Sequence, residues 1–441
     1  MATEDPQIPE ETTERSSPFS GFRNYGAVLR NRDYFYLWWG SIVSNIGNRI
    51  HFIALMVYTY NLTGRALNLG LLMIIMSIPN FFLSPVMGVL ADRMDKRKLI
   101  IASDVARFAL VILFPFAQNI WQLYALAFLI GAANAAFFPS VFSLVPQIVP
   151  KKDLLTANSL NVTTMNVVAI IGPAAGGLIV GYWGTTPAFI INSFTFLFSA
   201  FMVLLIKKPE TREIPSGEAE AGTPRKSSYL GEFVEGIRFM MGDPMMRYII
   251  FTFSALILVT SGLNPLFVVL TKEVLGKGDL AFGYLISALG VGGIVGGFLY
   301  GLIGQRFSRI SIIINLLFLD SIIVIILGVN TSYYAALGLF AVFGIIGTVF
   351  SVTIMTLLQE YIPEDKMGRA MGVFSVMFDP LTMVSMGVFG YLADVIGTGL
   401  VFVGSGVLEL VATGFARFLP VYRKVTKLEP AVKLGERTGA G

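Results

Sequence analysis

Residues 88–98 read Gly-Val-Leu-Ala-Asp-Arg-Met-Asp-Lys-Arg-Lys, and a degenerate copy, Gly-Leu-Ile-Gly-Gln-Arg-Phe-Ser-Arg, occupies residues 301–309. The two copies begin 213 positions apart. A second pair has the same separation: Gln-Ile-Val-Pro ends at Pro150, and Glu-Tyr-Ile-Pro ends at Pro363. Because two unrelated anchors share one separation, the sequence predicts a chain built from two similar halves.

The composition excludes a water-soluble chain. Of the 441 residues, 55% are apolar and only 14% are charged, and the mean hydropathy is +0.72. An average soluble domain has ~25% charged residues, because its surface must be hydrated. Cysteine is absent and His51 is the single histidine, which excludes a disulfide framework, a zinc–thiolate site and a multi-histidine metal site. We therefore expect no cofactor and no metal.

A helix that crosses ~30 Å of hydrocarbon needs about 20 apolar residues. Twelve segments meet this length, so we predict an all-α integral membrane protein with two six-helix halves. The predicted spans are 34–60, 68–91, 98–117, 119–146, 154–182, 186–206, 246–270, 280–304, 309–329, 332–359, 367–394 and 398–420. The predicted domains are a disordered tail (1–33), the first half (34–206), a linker (207–245), the second half (246–420) and a C-terminal tail (421–441).

The linker and the loops carry an asymmetric charge distribution. Most of the 32 Lys and Arg residues lie on the side that holds both termini, whereas the opposite loops carry only Arg65, Lys272 and Lys277. The positive-inside rule therefore places both termini in the cytoplasm. Within the linker, apolar residues recur at helical spacing over 230–240. They predict a short amphipathic helix on the cytoplasmic membrane face, with a solvated linker helix as the alternative.

Residues 88–98 resemble the signature loop between the second and third helices of the major facilitator superfamily, and residues 301–309 resemble its degenerate repeat. The likeness covers the whole chain, with twelve spans, two halves and a long central connection. The run Gly231-Glu-Phe-Val-Glu-Gly-Ile-Arg-Phe239 is similar to the bacterial exporter branch, which contains macrolide-efflux and enterobactin-exporter proteins. The resemblance implies the major facilitator fold and a secondary active transporter.

A glycine motif in the fifth span adds to this resemblance. Gly172, Pro173, Gly176 and Gly177 are similar to the Gly-Pro-x-x-Gly-Gly core of a motif found in drug antiporters, whose further glycine is replaced here by Val168. Proline removes a backbone donor and bends a helix, and glycines allow close helix packing in membranes. Ordinary helix packing is the alternative interpretation.

The resemblance also implies a mechanical role for the loop at 88–98. Its cytoplasmic latch comprises Gly88, Asp92, Arg93, Lys96 and Arg97, and it closes when the central cavity faces outward. In this interpretation the Asp92 carboxylate lies at the N-terminus of the eleventh helix, where the helix dipole favours an anion by ~0.3–1 kcal/mol. The alternative for the basic residues is that they only set the membrane orientation.

The first span carries a polar stripe. At helical spacing, one arc of its surface holds Ser41, Ser44, Asn45, Asn48, Arg49, His51 and Thr59. A lipid-facing helix would not carry this stripe, so the face lines a cavity or a buried polar seam. The predicted substrate-cavity residues are Ser41, Asn45, Asn48, Arg49, Asn134, Asn161 and Asn166. Because Asn48 and Arg49 stand where drug pumps of this family often place an acid, we expect neutral or anionic substrates.

Ionisable residues within spans cost ~2.5–3.5 kcal/mol each on insertion scales, so each needs a partner, a cavity or a function. Asp379 lies in the middle of the eleventh span, before Pro380 and at the repeat position of Asn166. Its carboxyl is a candidate carrier of the coupling proton. A static ion pair with Arg49 or another basic residue is the alternative.

Two further residues are candidates for proton coupling, His51 and Glu409. A hydrogen-bonded lining role for His51 and a packing role for Glu409 are the alternatives. Asp320 is also near mid-membrane, at the repeat position of Arg107. Asp104 and Arg107 are three residues apart and predict an ion pair within one helix.

Together these features predict a secondary active exporter of amphipathic small molecules, such as drugs or siderophore-like metabolites. It works by alternating access with proton antiport, as a monomer in the bacterial cytoplasmic membrane, and binds no nucleic acid. A lipid or lysophospholipid transporter of the same fold is the alternative. The two-fold repeat with glycine faces suits rocking halves better than a passive channel. Neither an intramembrane enzyme nor an ATP-driven pump is indicated, because thiols, metal-ligand spacings and a P-loop are absent from the sequence.

Overall fold

The computed structural model describes residues 20–207, 238, 241–242, 244–303, 307–362 and 364–418, and every regular element in that part of the chain is helical. The helices are α1 (Ser20–Leu29), α2 (Arg32–Thr63), α3 (Ala66–Arg93), α4 (Lys96–Val111), α5 (Ile120–Ile148), α6 (Leu154–Trp183), α7 (Thr185–Leu205), α8 (Pro244–Thr260), α9 (Leu263–Val269), α10 (Asp279–Ile303), α11 (Arg309–Val329), α12 (Tyr333–Tyr361), α13 (Glu364–Ile396) and α14 (Thr398–Phe418). A π-helical turn, Leu270–Val274, continues α9.

Local capping chemistry sets the ends of the first long helix. The side-chain oxygen of Asn31 accepts hydrogen bonds from the backbone N–H groups of Asp33 (3.1 Å) and Tyr34 (3.3 Å), which begins α2. Gly64 ends α2 in the left-handed conformation (φ 62°), and its N–H donates to the Tyr60 carbonyl at 2.8 Å. The chain then reverses into α3.

The predicted two-fold repeat is present in the helices themselves. α12 begins and ends 213 positions after α5, and α14 does the same relative to α7. α2 to α7 form the first half, and α8 to α14 form the second half, in which α8 and α9 together correspond to one span. The all-α membrane architecture in two pseudo-symmetric halves is confirmed.

Within the described residues, ten helical segments are long and apolar enough to cross a membrane. α2 and α13, with 32 and 33 residues, are also long enough but are not among these ten. Arg49 of α2 and Asp379 of α13 lower the mean hydropathy of these two helices. The count of twelve spans depends on including them.

The apolar core shows where the halves meet. We call the membrane face at which α2 begins and α14 ends the terminal side. One large cluster joins both halves near the other face, where Leu69 and Val180 of the first half belong to the same cluster as Phe282 and Phe389 of the second. Toward the terminal side, separate clusters form within the first half and within the second. The halves are therefore closed together away from the termini and separate toward the terminal side.

One predicted boundary is wrong. The disordered tail does not reach residue 33, because α1 begins at Ser20 and buries Val28 beside Tyr34. The third predicted span, 98–117, agrees with the apolar segment Lys96–Phe116, within which a short 3-10 turn follows α4. The seventh span is broken between α8 and α9. The predicted linker helix and the C-terminal tail lie outside the described residues, apart from 238, 241–242 and 244–245.

Candidate functional site

A pocket opens in the first half, among the ends of α2, α5 and α6 that are nearest the terminal side. It encloses about 650 Å³, including its solvent-filled mouth. Three predicted cavity residues, Ser41, Asn45 and Asn161, line it. The remaining lining is mostly apolar and includes Trp38, Phe137, Phe138 and Phe142. Apolar walls with a few amides are typical of sites for small organic molecules.

Asn48 and Arg49 lie at the midpoint of α2, deeper in the membrane than the pocket. The aliphatic stem of Arg49 packs on Gly172 of α6, where an added Cβ would lie 2.6 Å from the Cβ of Arg49. Arg49 is nevertheless exposed. The described residues contain no ion pair between Arg49 and Asp379. Among the described residues, Arg49 therefore has no ion-pair partner for its positive charge at mid-membrane depth.

Asn166 and Asp379 occupy equivalent positions in the two halves, and both are exposed. Asn166 lies on the face of α6 that continues to Gly177, where α6 contacts α10 of the other half. Asp379 lies two turns before Met386 on α13, and the Met386 carbonyl contacts Gly70 of the first half. Both residues therefore lie on faces directed at the opposite half, at the depth where the halves separate.

The break between α8 and α9 lies at the same depth. The Gly262 N–H donates to the Ser385 hydroxyl at 2.8 Å, and an added Cβ on Gly262 would lie 2.7 Å from the Ser385 carbonyl oxygen. Gly262 also occupies the repeat position of Arg49. Interrupted helices near the midplane are typical of transporter binding sites. Apolar length alone did not predict this break, although the polar triplet Thr-Ser-Gly ending at Gly262 was a signal for it.

The polar stripe of α2 divides between two environments. Ser44, His51 and Thr59 are buried rather than facing the pocket. His51 is 5% exposed and lies edge-on to Phe114 and Phe189, with ring centroids at 5.0 and 5.2 Å. Neither of its ring nitrogens has a hydrogen-bond partner among the described residues. This part of the stripe is a buried seam, and His51 is not in the cavity lining.

Asn134 contacts a buried charged pair. Its Oδ1 accepts a hydrogen bond from Arg107 at 3.4 Å. Arg107 forms the predicted ion pair with Asp104, and its guanidinium lies 3.9 Å from the ring centroid of Phe137 and 4.4 Å from that of Phe196. The ion pair and both rings hold Arg107 in place, so this cluster joins α4, α5 and α7. Phe137 also lines the pocket, whereas Asn134 does not.

The glycine motif joins three helices. An added Cβ at Gly176 would lie 2.9 Å from the Ile50 Cα, so α6 and α2 are in backbone contact there. At Gly177 an added Cβ would lie 2.6 Å from the carbonyl oxygen of Gly283, across the boundary between the halves. The motif therefore makes two contacts. Gly172 and Gly176 allow α6 to pack closely on α2, and Gly177 allows α6 to cross α10.

The two halves are also joined by polar contacts away from the terminal side. The Asp394 carboxylate, near the end of α13, accepts hydrogen bonds from the backbone N–H groups of Ala66 (2.7 Å) and Leu67 (3.1 Å) at the start of α3. Glu273 accepts from the hydroxyl groups of Tyr60 and Thr398, each at 2.7 Å. The sequence analysis missed these contacts, because the partners are far apart in the chain.

A third contact at the same face is a charged cluster. Lys272 forms an ion pair with Asp279 (2.6 Å) and donates to the side chain of Asn61, which itself donates to Asp279 at 3.0 Å. Asn61 belongs to the first half, whereas Lys272 and Asp279 belong to the second. Together with the Asp394 and Glu273 contacts, this cluster closes the molecule on the side away from the termini.

The loop predicted as a latch is described only in part. The side chains of Asp92 and Arg93 and the surroundings of Gly88 lie outside the described residues. Asp95 begins α4, since its side chain accepts from the N–H groups of Arg97 (3.1 Å) and Lys98 (3.3 Å). The Arg97 Nε donates to the Val203 carbonyl at 2.9 Å. Arg97 therefore binds the C-terminal end of α7 in the same half, and its neighbour in the predicted latch, Lys96, begins α4.

Comparisons with known proteins agree with this architecture. A family model described as Major Facilitator Superfamily matches residues 37–384. Macrolide efflux protein A of Streptococcus pyogenes is 21% identical over 90% of this chain and 97% of its own length. Multidrug resistance protein MdtG of Escherichia fergusonii is 27% identical over 62% of this chain and 66% of its own length. A bacterial homologue of the human lysosomal transporter Spinster, crystallised inward-facing and unoccupied, superimposes with a TM-score of 0.68 at 15% identity, covering 90% and 98% of the two chains.

Proposed function

This chain belongs to the Major Facilitator Superfamily and is a multi-pass membrane transporter of small molecules rather than an enzyme, and from that premise we propose that it exports amphipathic small molecules by alternating access, driven by proton antiport. The observation that carries the proposal is the cavity: it has apolar, partly aromatic walls and a few amides, opens among the terminal-side ends of α2, α5 and α6 in the first half, and lies in a molecule whose halves pack together at the opposite face. The similarity to a macrolide efflux protein and to a multidrug resistance protein supports the direction of transport.

The orientation is part of this proposal. α2 begins and α14 ends on the terminal side, and the connections between helix ends on that side hold most of the Lys and Arg residues of the sequence, which supports a cytoplasmic location for that side. The cavity then faces the cytoplasm, where an exporter loads its substrate. The bacterial relatives support a location in the plasma membrane.

Asp379 is the proposed carrier of the coupling proton. It lies in mid-span, is exposed and faces the opposite half, and it has no ion pair among the described residues. A carboxyl in this position meets a different environment when access changes sides, so it can load a proton from one side and release it to the other. One charge moved across 100 mV supplies ~2.3 kcal/mol and one pH unit adds about 1.4, which together sustain roughly a 500-fold gradient.

Substrate charge follows from the residues at the same depth. Arg49, Asn48 and Asn166 supply one cation and two amides, while the pocket walls are largely aromatic. An uncompensated guanidinium repels cations and attracts anions. We therefore propose neutral or anionic amphipathic substrates of the size of drugs or secreted metabolites.

The proposal is tested by accumulation of a panel of dyes and antibiotics in an efflux-deficient bacterium that makes this protein, with and without a protonophore. We expect reduced accumulation of neutral or anionic compounds, and we expect the protonophore to abolish the reduction. A reduction that survives the protonophore would contradict proton antiport. Unchanged accumulation of every compound, together with uptake of lysophospholipid by vesicles that contain the protein, would favour the lipid-transport alternative.

A further inference from the structure

Two carboxyl groups face each other between the peripheral helices of the second half, outside the cavity described above. Asp320 lies at the middle of α11 and Glu409 at the middle of α14, and their side chains are within interaction distance. The helices are in close contact there, since an added Cβ at Gly406 would lie 2.7 Å from the Ser321 carbonyl oxygen. Glu409 is 0% exposed. Sequence analysis named Glu409 as a candidate for proton coupling and placed Asp320 near mid-membrane without pairing the two residues; the structure pairs them.

The surroundings of Glu409 provide no donor for its carboxylate. Neither oxygen accepts a hydrogen bond from the described residues. Two nearby hydroxyl groups are engaged elsewhere: Ser321 donates to the Phe318 carbonyl at 2.8 Å, and Ser405 donates to the Val401 carbonyl at 2.7 Å. The buried Thr413 hydroxyl, one turn after Glu409, makes no hydrogen bond to it among the described residues. The group that faces Glu409 is therefore another acceptor, the carboxyl of Asp320.

The basic residues of α11 and α14 lie at the ends of these helices and have polar partners there. Arg309 pairs with Glu360 at 3.2 Å, and Arg417 donates to Asn315 at 3.4 Å. On the other elements that contact α14, the charged residues whose side chains are described are Arg247 of α8, Lys272 and Glu273 of the π-helical turn, and Asp379 and Asp394 of α13. Arg247 begins its helix near the terminal side and Lys272 lies near the opposite face, so neither reaches the level of Glu409.

The first half shows what the same helix contact looks like without this pair. Asp320 and Glu409 occupy the repeat positions of Arg107 and Phe196. There the guanidinium of Arg107 lies 4.4 Å from the ring centroid of Phe196. The fold therefore packs these two peripheral helices without facing carboxyl groups, so the pair is a feature of the second half alone.

Two adjacent carboxylates cannot both stay ionised in a low-dielectric contact, because nothing offsets their repulsion or their lost hydration. One proton resolves this, since a protonated carboxyl donates to the carboxylate beside it. A hard divalent cation such as calcium takes six or more oxygen ligands, which two carboxyl groups and the nearby Thr413 hydroxyl do not supply. We propose that Asp320 and Glu409 form a proton-binding site that holds one proton between them, separate from the substrate cavity.

The site makes the α11–α14 contact sensitive to pH. When the proton leaves, the two negative charges repel each other across the contact and loosen it. The proposal concerns proton occupancy of the resting protein and does not depend on export. It is therefore tested on the purified full-length protein without substrate.

The test uses dicyclohexylcarbodiimide, which modifies protonated carboxyl groups in apolar surroundings, on protein in lipid nanodiscs, followed by peptide mass spectrometry. We expect an adduct on Glu409 or Asp320 at about pH 6 and at least about fivefold less at about pH 9, where the shared proton is lost. Asp104 is the matched internal control. It is equally buried but paired with Arg107, and we expect it to stay unmodified.

Two variants test whether the adduct depends on a proton shared by the two carboxyl groups or only on the burial of each group. In Asp320→Asn, the new amide donates to the Glu409 carboxylate in place of the proton, so the adduct on Glu409 falls at about pH 6. In Glu409→Gln, Asp320 loses its adduct for the same reason. Absence of an adduct on both residues at every pH, or an adduct on Glu409 that is unchanged in Asp320→Asn, would overturn the proposal. If Asp320→Asn does not fold, the Glu409→Gln result decides.

Thermal unfolding gives an independent readout. The melting temperature of the wild type should fall more steeply between about pH 6 and pH 9 than that of the Glu409→Gln variant, because only the wild type gains a second charge at the contact. Parallel curves for the two proteins would contradict the inference.

Discussion

The Asp394 carboxylate accepts hydrogen bonds from the backbone N–H groups of Ala66 (2.7 Å) and Leu67 (3.1 Å), and these bonds join the end of α13 to the start of α3 across the two halves. An anion at a helix N-terminus satisfies free N–H groups and interacts favourably with the helix dipole. The contact therefore stabilises the conformation in which the face away from the termini is closed.

The same two helices carry a carboxylate at their other ends. α3 and α13 run antiparallel, and Asp92 lies near the end of α3, as Asp394 lies near the end of α13. If Asp92 caps the start of α13 in the opposite conformation, as the resemblance implies, each helix supplies the acid that caps the other. We propose that the two caps form in turn as access alternates.

Replacing Asp394 by Ala is expected to open the closed face. The variant loses two hydrogen bonds to a charged group, worth about 1.5–3 kcal/mol each, so the conformational equilibrium should shift by about tenfold or more. The chain has no cysteine, so the double variant Arg65→Cys, Lys277→Cys takes spin labels at these two positions only. Double electron–electron resonance then measures the distance between the two halves. We expect a longer-distance population in the variant. Asp153→Ala is the control, because Asp153 makes no cap hydrogen bond, and an unchanged distance in Asp394→Ala would refute the locking role.

The α6–α10 crossing is expected to tolerate no side chain at Gly177. A Cβ there would lie 2.6 Å from the Gly283 carbonyl oxygen, a backbone atom that cannot rotate away as a flexible side chain could. Gly177→Val should therefore abolish transport by keeping the halves from closing at that face, while the protein still reaches the membrane. Gly404→Ala is the matched control, since an added Cβ there meets nothing within 4 Å. Normal transport by Gly177→Val would show that the crossing moves apart at little cost.

Replacing Asp379 by Asn is expected to uncouple transport from the proton gradient. The amide keeps the size and polarity of the side chain but does not load or release a proton. Uptake into inverted vesicles driven by a pH gradient should fall to background, whereas exchange of labelled for unlabelled substrate without a gradient should persist. Gradient-driven uptake that matches the wild type would show that another group carries the proton.

Removing Arg107 is expected to destabilise the first half strongly. Arg107→Met leaves the Asp104 carboxyl buried without its partner, which costs about 3–5 kcal/mol of unfolding free energy. The double variant Asp104→Asn, Arg107→Met removes both charges and should recover much of that loss. The measurement is unfolding in detergent, followed by tryptophan fluorescence. Equal losses for the single and double variants would mean that packing against Phe137 and Phe196, not the charge, dominates.

The sequence predicted the spans better than the contacts between them. Apolar length, the Lys and Arg bias and the 213-residue repeat depend only on composition along the chain, and they led to the correct fold class. The break at Gly262 was missed because apolar length ignores both the local Thr-Ser-Gly triplet and the acceptor of the Gly262 N–H, the Ser385 hydroxyl 123 positions away. The contact between Asp394 and Ala66 was also not predicted, because these residues are far apart in the chain.

The polar stripe of α2 shows which feature of the site helical periodicity does not predict. Periodicity placed Asn45 and His51 on one face, and it correctly made that face polar. However, it did not distinguish a pocket lining from a contact with α7. That distinction depends on Phe189 and Phe114, which pack around the His51 ring.

The cap made by Asp394 has a consequence for how this contact tolerates mutation. Its donors are backbone N–H groups, so every amino acid except proline at positions 66 and 67 supplies them equally well. Only the acceptor depends on a side chain. Genetic variation at the start of α3 should therefore leave the contact intact, whereas a single codon, that of Asp394, decides whether it exists.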